Sequence, residues 1–330
     1  MAVTRITNVI VPSIYVPYQI SLTKETDGFF TSGIVREDAQ INAEMKNGGY
    51  TINLPFWNDL SGTDTVTSDD PASFITPGNV TASSQIAVVC RRAVAFGSAD
   101  LAGILAGSDP MKVVAQRINP LWRRNMQATL LKTVQGVFAN TAFKALALND
   151  ISVSTGMAAA NRLSPEAIID AKATMGDAAD DIKVIAMNSW VYHQLQKMNL
   201  IDFIPDARGE VNIPTYMGLR VVVNDGIVSG LNGAAVTQTV YLFAPGAIGY
   251  GESMPKVPVA EERDEAAADG EGVEYAYFRR HFVLHPYGFK FVGTPAGKSP
   301  TNAELATGTN WTQVFERKNI PMCALTFNRD

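Results

Sequence analysis

From Gly48 to Gly97 the chain is written as two extended runs separated by a long turn-rich stretch. Tyr50, Ile52, Leu54 and Phe56 alternate with Thr51, Asn53 and Pro55, the period-two pattern of a half-buried strand. Turn formers then crowd residues 58–80: Asn58-Asp59, Ser61-Gly62, Asp69-Asp70-Pro71 and Pro77-Gly78-Asn79. Val80 to Phe96 returns as strand, with Ile86, Val88 and Cys90 on one face. A two-stranded hairpin is marginal in water by itself, and residues 1–100 offer it little else to pack on. Such an arm is expected to lie on another copy of the chain. The contact candidates are therefore Tyr50, Ile52, Leu54, Phe56 and Trp57 on the strand, and Asp59, Asp69 and Asp70 at a solvated tip.

A helix follows. Ser108 or Asp109 can cap it, and Pro110 sits at the first helical position. Val114, Ile118, Trp122, Met126, Leu130, Val134 and Phe138 recur every four residues, and Leu121, Leu131 and Val137 widen the stripe. A run to Asn140 makes a spine about 45 Å long, with a kink expected at Pro120. Arg117, Arg123, Arg124 and Lys132 fall on the polar face. The three arginines are the candidate landing site for an acidic tip from a neighbour.

From Ser164 helices and strands alternate. Ser164-Pro165-Glu166 starts a helix to about Met175, Ile182–Met187 is a strand, and Asn188-Ser189 caps a helix through Met198. Strands are expected at Leu219–Val223 and Thr239–Phe243, with a final pair at Glu274–Leu284 and Gly288–Val292. The pattern is that of an α/β or α+β module. Glu261-Glu262-Arg263-Asp264-Glu265 reads as a solvated loop. Residues 1–30 read as an extended arm that reaches a neighbouring subunit. Pro12 and Pro17 block helix through Pro17, and a short helix fits after Tyr18.

Charge narrows the function. A net charge of −5 argues against a dedicated nucleic-acid binder, whose phosphate affinity rests on clustered Lys and Arg. It leaves open a protein that merely encloses nucleic acid. With 46% apolar and only 18% charged residues, more surface is free for burial between subunits. No stretch reaches the roughly 18 apolar residues of a membrane span. The N-terminus lacks a basic start and a small-residue cleavage site, so the chain is expected to stay in the cytosol where it is made. Cys90 and Cys323 show no metal-ligand spacing and read as buried free thiols.

Few motifs carry chemistry. Gly293-Thr294-Pro295-Ala296-Gly297-Lys298-Ser299 is one residue short of a phosphate-binding loop, so its amides do not close on a phosphate, and it reads as a surface turn. Lys298 is accordingly expected to be dispensable. His281 and His285 share a strand face but stand about 13 Å apart, too far for one metal. His193 and Ser189 lie on one helical face without a nucleophile turn. Asp180-Asp181 reads as a solvated turn. The pairs Arg91-Arg92, Arg123-Arg124 and Arg279-Arg280 read as inter-subunit or solvated, since no aromatic platform interleaves with them. No catalytic, cofactor or metal residue is assigned.

The order of arm, hairpin, capped spine helix, mixed module and returning strands resembles the Hong Kong 97-type major capsid proteins of tailed bacteriophages. Segments 53–62, 105–111, 212–221, 242–251 and 279–288 are similar to one branch of these coat proteins. The resemblance implies an α+β fold divided as follows: arm 1–46, extended E-loop 47–97, peripheral (P) domain with the spine helix 98–150, axial (A) domain 151–274, and return to the P domain 275–330. It also implies hexamers and pentamers closing an icosahedral shell around double-stranded DNA, a virion location, assembly in the host bacterial cytoplasm, and no enzyme activity or cofactor. No charged helical leader precedes the arm, so scaffolding is expected from a separate protein or by a different mechanism, with portal and decoration proteins as further partners. Two rivals stand beside this reading. An encapsulin-type compartment would hold cargo enzymes in place of DNA, and a soluble phosphate-binding α/β enzyme would run as a small oligomer.

Overall fold

The computed structural model describes Thr4 and residues 28–67, 69–72, 74–198, 200–205 and 212–329. Two mixed sheets carry the chain. The first holds β1 (Val35–Glu37), β2 (Thr51–Trp57), β3 (Ala82–Ala99), β11 (Ile248–Ser253), β12 (Val259–Asp264), β13 (Val273–Pro286), β14 (Phe289–Phe291) and β15 (Trp311–Gln313). The second holds β4 (Leu148–Asp150), β5 (Val184–Met187), β6 (Asp202–Pro205), β7 (Asn212–Tyr216), β8 (Leu219–Val223), β9 (Gly230–Asn232), β10 (Ala235–Phe243) and β16 (Met322–Asn328). The helices are α1 (Gly28–Thr31), α2 (Ala39–Glu44), α3 (Asp100–Ala106), α4 (Pro110–Ala139), α5 (Thr141–Ala147), α6 (Pro165–Ala173), α7 (Ser189–Lys197) and α8 (Asn302–Leu305).

The hairpin is built differently at its two ends. Strand β3 spans about 60 Å. Its first half pairs antiparallel with β2, from Trp57↔Ala82 to Thr51↔Val88. Its second half leaves β2 and pairs with β13, from Val89↔Val283 to Ala99↔Val273. The base of the arm is thus part of the chain's own sheet, and only residues beyond Trp57 and before Ala82 project from it. At the branch point β3 is covered on both faces. Val88 and Cys90 join the main core, while Ala87 and Val89 pack with Ile41, Met45, Ile52, Leu54 and Val283.

The spine forms as its pattern dictates. Asp109 accepts from Met111 N at 2.9 Å and caps α4, Pro110 opens it, and the helix continues through Pro120. Ile118, Trp122, Met126, Leu130, Val134 and Phe138 are buried along it. Gly136 lies so close to α8 that a Cβ there would meet Leu305 O at 1.9 Å. Phe138, Phe143, Tyr241 and Phe289 interlock at 4.8–5.3 Å and tie α4 and α5 to both sheets. Helices α6 and α7 cover the second sheet, with Ser164 and Asn188 as their caps.

Several expectations are corrected. Glu261–Asp264 is not a loop: it belongs to strand β12, which pairs with β13 from Val259↔Phe278 to Asp264↔Val273. It is an exposed edge strand, where charge costs little and keeps the edge soluble. Strands β13 and β14 do not pair with each other, since β14 joins β3 and β15. Nor are they final: β16 closes the chain and inserts between β4 and β10 of the second sheet. Segment 275–330 therefore feeds both sheets. Residues 28–30, expected extended, begin α1, and Phe29 is buried against Phe243 at 6.2 Å. The expected extended arm over residues 1–27 lies outside the described residues except Thr4, which bridges Ser98 in parallel.

Candidate inter-subunit surface

The contact candidates separate by their place on the hairpin. Ile52 and Leu54 are buried in their own chain against Ile41, Met45 and Val283, so their assignment to a subunit contact is corrected. Their period-two face does point to a core, but α2 of the same chain supplies it. Asp38 makes that helix by accepting from Gln40 N at 2.8 Å, and the sequence reading had no helix there. Phe56 is half-buried, with an edge-on contact to Phe315 at 4.8 Å. Tyr50 is half-buried beneath the Lys298 ammonium, 5.3 Å from its ring centre.

Beyond Phe56 the picture reverses. Asn58 N donates to Thr81 O and Asn58 Nδ2 to Thr81 Oγ1, both at 2.9 Å, closing the tip segment. Trp57 is 74% exposed, Phe74 87% and Val66 92%, and Leu60, Ile75 and Val80 are similarly bare. The tip is therefore apolar as well as acidic, which the turn chemistry of 58–80 masked: its apolar residues are scattered among turn formers and make no periodic pattern. Asp59 and Asp70 hold the local backbone, accepting from Leu60 N at 2.8 Å and Ala72 N at 2.9 Å, and Asp69 is exposed beside them. Six large apolar side chains are thus exposed on one projecting segment.

The body carries a groove of about 350 Å³ between α4 and the β11–β12 connection. Ile118, Trp122, Met254, Pro255, Val259 and Phe278 line it. Arg279 and Arg280 stand at its rim. Arg279 donates to Val257 O at 3.0 Å. Arg280 Nε pairs with Glu252 at 2.5 Å. Burial pulls Glu252 upward, but hydrogen bonds from Arg280 and Tyr250 outweigh it and leave the carboxyl below the usual carboxylate range. The arginines of α4 are partly accessible: Arg123 is exposed, Arg117 and Arg124 half-buried.

Arg91 and Arg92 are corrected to an intrachain role. Ser299 Oγ accepts from Arg91 N at 2.9 Å, and Arg92 Nη2 donates to Pro300 O at 2.6 Å. Those bonds pin 293–300 against β3. Ser299 is thus engaged within the chain, and Lys298 lies over Tyr50. The helix after this segment, α8, starts on a capping box between Thr301 and Glu304, a T-x-x-E signal readable in the sequence. Cys90 and Cys323 are buried free thiols, pushed up by desolvation to about 11 and about 12. Among the described residues no cluster of three metal-ligating side chains occurs, and no helix is long and apolar enough to cross a membrane.

Comparison with known proteins agrees with this architecture. Residues 111–320 match the family model described as Gp13-like, major capsid protein 13-like. The chain belongs to this family of bacteriophage major capsid proteins. It is 37% identical over 324 residues to the major capsid protein of Bacillus phage SPP1, covering 97% of both chains. In fold it is similar to the capsid asymmetric unit of cyanophage Pam1, with a TM-score of 0.62, 10% identity and 96% of each chain covered. The capsid of Ralstonia phage GP4 gives 0.61 at 8% identity, over 97% of this chain and 96% of that one. The α+β fold is thus the Hong Kong 97-like capsid fold, and the encapsulin and enzyme readings gain no support.

Proposed function

We propose that this capsid subunit forms hexamers and pentamers that close an icosahedral shell around double-stranded DNA, assembling in the host cytoplasm without enzymatic chemistry. The single observation that carries the reading is the hairpin tip, which exposes Trp57, Leu60, Val66, Phe74, Ile75 and Val80 beyond the reach of its own sheet. In this reading 47–97 is the E-loop, α4 the spine of the P domain, and most of 151–274 the A domain. The tip crosses to a neighbour and lays its apolar side chains in the groove floored by Ile118 and Trp122. Asp59, Asp69 and Asp70 then face Arg279 and Arg280 at the rim, or Arg117, Arg123 and Arg124 on α4. Exposed ion pairs contribute about 0–1 kcal/mol each, so they orient the tip while apolar burial and repetition supply the strength. Scaffolding, portal and decoration proteins complete the particle.

The test is the double substitution Phe74→Ser, Ile75→Ser. Both side chains are exposed, so the subunit should keep its wild-type unfolding midpoint. Size-exclusion chromatography and electron microscopy should show capsomers or monomers in place of shells. Wild-type shell yield would remove the hairpin tip from the assembly.

A further inference from the structure

The long helix α4 has a second surface, on the side away from the groove. Over its 30 residues it carries five basic side chains and no acidic one, in a chain of net charge −5. At about 100° per residue, Lys112, Arg117, Arg123 and Arg124 fall within about 140° of the helix circumference, with Gln116 and Pro120 among them. Ile118 and Trp122, which floor the groove, lie on the opposite side. Lys112, Gln116, Pro120 and Arg123 are exposed. Arg117 adds an independent sign: its Nε is buried with no hydrogen-bond partner among the described residues. Buried polar atoms are normally paired, and a half-desolvated guanidinium is stabilised by an anion at its outer nitrogens.

We infer that this basic arc of α4 faces the phosphate backbone of double-stranded DNA. The inference rests on the reading of the chain as a DNA-enclosing shell. From Lys112 to Arg124 the helix runs about 18 Å, a length over which duplex DNA presents about ten charges. Lys, Arg and amide side chains are the groups that hold phosphate without reading sequence. A duplex backbone requires no aromatic platform, since its bases stay stacked. Arg123 and Arg124 also interact within the chain, and a guanidinium with five donors serves both. An acidic hairpin tip is the competing anion, but its exposed apolar side chains suit the groove on the other side of the helix, whereas the exposed residues of the arc are Lys112, Gln116, Pro120 and Arg123.

The experiment uses the unassembled full-length chain and a mixed-sequence duplex, with binding followed as salt is raised. Lys112→Gln with Arg123→Gln removes two exposed cations and should leave folding intact. The slope of log affinity against log salt should fall by about 2 in magnitude. Lys112→Arg with Arg123→Lys should restore it. Shells of both variants are viewed in parallel by electron microscopy. An unchanged slope, or no salt-dependent duplex binding by the wild-type chain, would overturn the inference. Loss of shells with duplex binding intact would overturn it too, and would assign the arc to a neighbour's acidic tip. Failure of the wild-type chain to form shells would instead sink the shell reading while leaving the duplex result to stand.

Discussion

Gln85 Oε1 accepts from Gly288 N at 2.8 Å and meets His285 Nε2 at 3.0 Å, where the hairpin's base joins β13. An amide oxygen only accepts, so the His285 proton sits on Nε2. Among the described residues Nδ1 is buried with no partner, so a second proton would meet no acceptor from them. Desolvation therefore drives the imidazole down to about 4, against a weaker upward pull from Asp38. Asp38 in turn accepts from Tyr287 OH at 2.5 Å and caps α2, so one cluster holds hairpin, arm and sheet together. The unfolded chain binds the proton near 6.5 and the folded chain near 4, so the unfolded state holds more protons between those values. Stability is full above the unfolded value and falls as pH drops toward the folded one, by about 2 kcal/mol between pH 7 and pH 5. Urea denaturation of the unassembled chain at the two pH values should show that loss, and His285→Gln should flatten it. Equal pH dependence in both proteins would mean that another group carries the titration.

Elements were legible in proportion to how local their signals are. The spine helix was readable to within a residue, because Asp109, Pro110 and a four-residue apolar repeat are all short-range facts. Its packing gives a direct check: Leu130 is fully buried, so Leu130→Ala should lower the unfolding free energy by about 2–5 kcal/mol. A change inside experimental error would place the stripe on the wrong face. Strand β12 was not legible, since charged residues on an exposed edge carry no period, and its pairing with β13 is set by residues nine to nineteen positions away. The same holds for β16, whose partners β4 and β10 are distant in sequence. The face of Ile52 and Leu54 was read correctly as buried, yet the reading could not tell its own chain from a neighbour. Only the presence of α2 beneath it decides that.

At the scale of the whole molecule, a shell subunit with a projecting hairpin relies on many repeated contacts, and the question is whether any of them becomes covalent. Some Hong Kong 97-type relatives join an E-loop lysine to an asparagine of a neighbour. Here residues 47–111 contain no lysine. The nearest flanking ones are Lys46, in the turn before β2, and Lys112, in the first turns of α4; both belong to the body and neither lies on the projecting tip. Lys298 rests over Tyr50 of its own chain. The tip thus presents carboxylates and apolar side chains but no amine nucleophile. Both cysteines are buried with their thiols held protonated, and the thiolate is the reactive form, so disulfide links between subunits are disfavoured as well. Mature particles boiled in detergent should therefore run as a single band near 35.6 kDa, with or without reductant. A ladder of multimers that survives boiling and reductant would show that an amine outside the hairpin reaches a neighbour, and Lys112, at the end of the basic arc, would be the first residue to substitute.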